Sequence, residues 1–261
     1  MIARLEIDAL RVAYRGRPVI DGLTLPAING GGLVSLVGPN GAGKTSLLRA
    51  MAGLVPARGA IGLDGIALDR LALRERARHV AYMPQTLPQG VALSVLETVI
   101  AALLASPAAI DVASEAQAAR TALAQLEAIG ARELAGRRLD ELSGGQRQLA
   151  SLAQALVRAP RVLLLDEPTS ALDLRHQHEV MAVARDYARR TGAVVIAVLH
   201  DLQAAARVSD RIVVLDKGRV VADGAPLDAL TPDLLAGVWK VAARIERCSL
   251  GTLQVMVDGI A

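Results

Sequence analysis

The strand-like run Leu33 to Val37 leads directly into Gly38-Pro39-Asn40-Gly41-Ala42-Gly43-Lys44-Thr45, and a helical stretch from Ser46 to Ala52 follows. No other feature restricts the fold of this chain as tightly. The eight loop residues match G-x-x-x-x-G-K-[ST], a pattern whose successive backbone N–H groups converge on a phosphate. Gly38, Gly41 and Gly43 keep side chains out of the space the anion needs. Lys44 offers a point charge to the β- and γ-phosphates of a nucleotide, and the Thr45 hydroxyl offers a ligand to Mg²⁺. The helix that opens at Ser46 directs its N-terminal dipole at the same anion. The whole loop, with Pro39, Asn40 and Ala42, is therefore a nucleotide-binding candidate. It needs a buried strand before it and a helix after it, which predicts an α/β core.

Two further aliphatic runs, Val162 to Leu165 and Ala193 to Leu199, lie far downstream. Continuous aliphatic runs suit strands covered on both faces, the parallel-sheet case. The first ends in Asp166-Glu167 and the second in His200. An aspartate at such a strand end can hold Mg²⁺ through water, and the next carboxylate can orient or deprotonate an attacking water. A lone histidine is more often structural, but a strand end beside the phosphate loop assigns His200 to the γ-phosphate. Three strands of one sheet would thus bring their chemistry to the carboxyl edge, where open α/β sheets bind ligands.

Elsewhere the texture divides the chain. Residues 2 to 24 alternate apolar and polar, as half-buried strands do. Residues 92 to 158 turn to Ala/Leu/Gln/Glu-rich helical patterns with no strand signal, which reads as a helical insertion. Arg211 to Ala222 reads as a hairpin about Asp216-Lys217-Gly218, and Arg244 to Val257 as another about Ser249-Leu250-Gly251. Within the insertion, Leu142-Ser143-Gly144-Gly145-Gln146 precedes a helix carrying Leu149, Leu152, Leu156 and Val157 on one face. Ser143 is a helix cap, and Gly144 and Gly145 expose N–H groups as a second anion site; the plainer reading is a cap alone.

Composition closes off other classes. With 52% apolar and 21% charged residues among 261, the chain is neither disordered nor collagen-like. It has no Phe, three Tyr and one Trp, so Leu, Val, Ile and Ala must build the core. Cys248 is alone, which excludes an intrachain disulfide and fits a reducing compartment. Mean hydropathy is +0.37, yet the apolar runs fall well short of the roughly 18 residues of a spanning helix. Arg4, Glu6 and Asp8 stand where a signal peptide would be apolar. The net charge is +3 and the pI near 9.4, but the basic residues are dispersed. The densest group, Arg70, Arg74, Arg76 and Arg78, reads as a solvated helix face.

Leu142 to Gln146, with the phosphate loop before it and Val162 to Glu167 after it, closely resembles the nucleotide-binding subunit of ABC transporters. The resemblance covers most of the chain. It implies one domain over residues 1–261: a P-loop NTPase core with an antiparallel β subdomain (1–86 and 159–261) and an inserted α-helical subdomain (87–158). It implies that Tyr14, 24 residues before Gly38, stacks on adenine, and that Gln85 contacts Mg²⁺ and the attacking water. Ser170-Ala171-Leu172-Asp173 becomes the loop through which two subunits communicate. Two copies would face head-to-tail, each ATP lying between Lys44 of one chain and Ser143, Gly144, Gly145 and Gln146 of the other. Transmembrane permease subunits, an external substrate-binding protein and a place on the inner face of the cell membrane follow from the same resemblance. His79 to Gln85, Leu199 to Leu202, and Leu230-Thr231-Pro232 with Val238 to Val241 look like the ATPases of importers for ferric siderophores, haem or cobalamin.

The rival class is an ABC-type ATPase acting on nucleic acid or the ribosome. Relatives of that kind carry coiled coils or zinc segments between the two motifs, or two cassettes per chain. Here Lys44 and Ser143 are 99 positions apart, without heptads or Cys clusters. A binding module with a decayed site is disfavoured, because every expected catalytic residue is present.

Overall fold

The structure is a computed structural model describing residues 1–85, 92–105, 114–170, 172–249 and 251–261. The chain opens with β1 (Arg4–Tyr14) and β2 (Arg17–Asn29), then β3 (Leu33–Val37) leads through the glycine loop to α1 (Lys44–Met51). Next come β4 (Ala57–Leu63), β5 (Ile66–Ala67), the short α2 (Leu73–Arg76) and β6 (Val80–Met83). Three helices follow: α3 (Val95–Leu104), α4 (Glu115–Ala128) and α5 (Gly144–Leu156). The chain then alternates through β7 (Val162–Asp166), α6 (Leu174–Thr191), β8 (Val194–Val198) and α7 (Leu202–Val208). It ends with β9 (Arg211–Asp216), β10 (Arg219–Gly224), α8 (Pro226–Ala229), α9 (Pro232–Trp239), β11 (Val241–Arg247) and β12 (Leu253–Ile260).

A six-stranded sheet of order β10-β9-β3-β8-β7-β6 forms the centre, parallel from β9 to β6 with β10 antiparallel at its edge. Side chains alternate across a strand, and here both faces are apolar. Leu33 and Val37, Leu163 and Leu165, and Val195 and Ala197 join the core under the helices. Val34 and Leu36, Val162 and Leu164, and Val194 and Ile196 face α1 and the second sheet, β2-β1-β4-β5. This two-sided burial is why these runs lack polar alternation. Each fully buried Leu, Ile or Val contributes about 1.5–3 kcal/mol relative to exposure.

Polar contacts tie the layers together. The Arg211 guanidinium on β9 donates to both carboxylate oxygens of Asp223 at 2.6 Å and to the Pro26 and Ala27 carbonyls of β2. Arg76 corrects the reading of a solvated arginine face. It is 6% exposed and donates to the carbonyls of Leu68 and Ala50, while Arg70, Arg74 and Arg78 are exposed. Its guanidinium thus joins the Ala50 carbonyl near the end of α1 to the Leu68 carbonyl of the short turn that precedes α2. Both expected hairpins form, although Leu250 of the second turn lies outside the described residues. The first turns on Lys217 and Gly218 with φ of 46° and 76°, the positive values that a two-residue turn of this hand requires.

Candidate active site

Because β3, β6, β7 and β8 run parallel, their carboxyl ends open along one edge of the sheet. That edge receives the glycine loop, Gln85, Asp166 with Glu167, and His200. Gly38 is required for more than the approach of an anion. A Cβ there would stand 2.0 Å from the Leu215 carbonyl oxygen of β9, at φ +150°. The hairpin turn props the loop as well, since the Gly218 N–H donates to the Ala42 carbonyl at 3.0 Å.

Lys44 is buried, and its ammonium donates to the carbonyls of Gly38 at 2.7 Å and Pro39 at 2.9 Å. Burial pulls its pKa down, opposed by the charges of Glu167 and Asp166. The ammonium thus sits against its own loop, close to two carboxylates.

Each carboxylate is gripped on both oxygens. Asp166, 2% exposed, accepts from the Thr45 hydroxyl on Oδ1 at 2.9 Å and from the Tyr82 hydroxyl on Oδ2 at 2.7 Å. Glu167 accepts from Gln85 Nε2 on Oε2 at 2.5 Å, and its Oε1 lies 2.5 Å from His200 Nε2. Glu167 also has φ +52°, a left-handed value uncommon outside glycine. Such backbone strain persists only where the surroundings over-determine it. Burial pushes the Tyr82 phenol up to about 12, so it stays a neutral donor. Among the described residues no three His, Cys, Asp or Glu side chains gather as a metal cage. The Thr45 hydroxyl, the Asp166 carboxylate and the Gln85 amide are hard oxygen donors, and they fit Mg²⁺, which takes one or two carboxylates and shares phosphate oxygens.

The family model described as ABC transporter matches residues 24–170. The hemin import ATP-binding protein HmuV of Nocardia farcinica is 45% identical over 245 residues, covering 90% of this chain and 82% of the relative. The protein of that name from Rhodopseudomonas palustris is 42% identical over 254 residues, covering 94% and 91%. The chain belongs to the ABC transporter family. Its fold is similar to a dimeric bacterial ABC transporter cassette, with TM-score 0.74 and 26% identity over 85% of this chain and 98% of that one. ATP-binding subunits of this family hydrolyse ATP, and this chain is an ATPase.

The remaining residues singled out in the ABC ATPase sequence lie elsewhere. Ser143 caps α5, its hydroxyl accepting from the Gln146 N–H at 3.3 Å while Gln146 Oε1 accepts from the Ser143 N–H at 3.2 Å. Among the described residues no hydrogen bond joins this segment to the phosphate loop. Gly144 is exposed as expected, but Gly145 is buried. A Cβ on Gly145 would fall 2.2 Å from the His176 ring. His176 in turn holds Asp173, whose Oδ1 accepts from the His176 N–H at 2.9 Å and lies 2.8 Å from Nδ1. Those bonds keep the Asp173 carboxyl below its usual range. Ala171, in the same loop, lies outside the described residues. Tyr14 ends β1 and is 40% exposed. No hydrogen bond ties it to the phosphate loop among the described residues.

Three contributors escaped the sequence reading. Tyr82 and His176 reveal themselves only when strands or helices are packed. Gln148 of α5 donates to the Gln85 carbonyl at 3.2 Å, linking the helical segment to the site. No local signal marks any of them.

Proposed function

We propose that this chain energises import of an iron complex, haem first among them, through a separate membrane permease. The observation that carries the cargo is the hemin-import relatives at up to 45% identity over about nine-tenths of the chain. Ferric siderophores and cobalamin are the neighbouring alternatives, drawn from the sequence resemblance.

In this reading Gly38 to Ser46 hold the phosphates of ATP, Lys44 clamps the β- and γ-phosphates, and Tyr14 stacks on the base. Thr45, Asp166 and Gln85 hold Mg²⁺, which neutralises charge on the phosphates when bound. Glu167 takes the proton of the attacking water, with its carboxylate oriented by Gln85 and His200. His200 also donates to the γ-phosphate. Supporting these roles is the convergence of Lys44, Thr45, Gln85, Asp166, Glu167 and His200 on one sheet edge, built from separated parts of the sequence.

A second copy supplies Ser143 to Gln146 from the opposite side, and Asp173 lies where the two copies communicate. Residues 1–86 and 159–261 form the nucleotide-binding core and residues 87–158 the helical part, with the boundary near residue 86 lying outside the described residues. Among the described residues no helix is long and apolar enough to cross a membrane. In this reading, which rests on the family resemblance, the chain works on the cytoplasmic side against permease subunits, with an external substrate-binding protein delivering cargo.

Reconstitution with the neighbouring permease in liposomes tests this directly. Labelled haem should accumulate only with ATP, and Glu167→Gln should abolish accumulation while ATP still binds. Uptake of cobalamin or a ferric siderophore, but not haem, would replace the cargo and leave the ATPase assignment standing.

A further inference from the structure

We propose that Tyr82 is a positioning residue for Asp166, fixing the carboxylate so that Oδ1 stays turned toward Thr45 and thereby setting how tightly the chain takes Mg²⁺ with its nucleotide. This rests on the reading of Asp166 as the metal-side carboxylate.

The placement follows from sheet register. Tyr82 on β6 pairs with Leu164 on β7, and Asp166 lies two residues further along β7. Residues two apart share a face, so Asp166 is the diagonal cross-strand neighbour of Tyr82. Such a diagonal is within reach of a long aromatic side chain but not of a short one. The phenol closes the gap and donates to Oδ2 at 2.7 Å.

Its proton has one direction to point. Arg49 Nε on α1 donates to the same phenolic oxygen at 3.4 Å, so the Tyr82 O–H is directed to the aspartate. Asp166 therefore has one donor on each oxygen, Thr45 on Oδ1 and Tyr82 on Oδ2. The torsion between Cβ and a carboxylate is broad and soft. A bond at one oxygen leaves it free to swing, whereas bonds at both oxygens hold it. Partners of a metal-ligating group typically change metal affinity by about 10–100-fold when removed. Tyr82 lies on the sheet strand that delivers Gln85, so it also ties the strand before that glutamine to the carboxylate.

Tyr82→Phe keeps the ring and the strand and removes only the hydroxyl. Binding of a fluorescent ATP analogue to the full chain, titrated with Mg²⁺ and repeated in EDTA, separates the effects. The half-saturating Mg²⁺ concentration should rise about tenfold, with metal-free nucleotide affinity and melting temperature near those of the wild type. Arg49→Gln should give a smaller shift in the same direction. Asp166→Asn is the control and should remove the metal dependence of binding. If Asp166→Asn keeps it, the assignment of Asp166 to the metal fails. If Asp166→Asn loses it while Tyr82→Phe matches the wild type, the Tyr82 proposal alone is overturned. Equal losses with and without metal, accompanied by a lower melting temperature, would make Tyr82 a packing residue and overturn it too.

Discussion

The phosphate-loop edge of the sheet and the N-terminus of α5 both present glycines and a hydroxyl at the start of a helix, yet they are built in opposite ways. The first is assembled from distant sequence. Thr45, Tyr82 and Asp166 come from three elements, and Gln85, Glu167 and His200 bracket a strained backbone position. In the second the polar groups are satisfied locally: Ser143 and Gln146 pair within one turn, while Gly145 is covered by His176, the third residue of α6. A region whose polar groups converge from afar is a site in its own right. The α5 N-terminus has a self-contained cap and makes no hydrogen bond to the phosphate loop among the described residues, so in the proposed mechanism it takes part in hydrolysis by meeting another chain. The contrast favours the shared-site reading over a single-chain one.

The largest effect should come from breaking the convergent region. Lys44→Ala removes the buried ammonium that spans the loop, and ATP hydrolysis should fall roughly 100-fold or more, the scale for losing a charge clamp on the transferring phosphoryl group. A steady-state ATPase assay checks it, and near-normal turnover would end the phosphate-loop assignment.

Mixing variants sharpens the comparison itself. Lys44→Ala chains combined with Ser143→Arg chains should recover part of the hydrolysis that each lacks alone. In a head-to-tail pair one site collects both defects and the other is intact. Should confirmed heterodimers stay inactive in both hydrolysis and ATP-dependent association, the α5 N-terminus serves its own chain or none.

Gly145→Ala addresses why the local region contains a buried glycine. The added methyl meets the His176 ring, and overpacking of this kind costs about 1–3 kcal/mol. A thermal melt should register the loss, and Gly145→Ala combined with His176→Ala should restore most of it. If the double variant melts no higher than the single one, the contact with His176 is not what requires glycine there.

The smallest effect belongs to Tyr14→Ala. Lost stacking is worth about 1 kcal/mol, which corresponds to about a fivefold rise in KM for ATP with kcat unchanged. An unaltered KM leaves Tyr14 as an ordinary strand residue.

The phosphate loop, the three buried strands, Asp166, Glu167, His200 and the Ser143 cap were all legible in the residues, because each is a local pattern. Continuous aliphatic runs report two-sided burial, and a Gly-rich turn between strand and helix reports a phosphate cradle. Arg76 was misread for the same reason. Its neighbours in sequence look like a solvated face, and only the fold brings carbonyls of Leu68 and Ala50 around its guanidinium.

By itself, then, the sequence determined that this chain builds a parallel sheet around a phosphate loop and which side chains stand at its strand ends. Tertiary structure alone decided which oxygen each donor holds: Tyr82 on Asp166, Gln85 and His200 on Glu167, and Gln148 on the Gln85 backbone. Local conformation follows from propensity and periodicity along a few residues. Hydrogen bonds between side chains such as Thr45 and Asp166, 121 positions apart, depend on strand register and helix packing, which are settled only when the whole core closes.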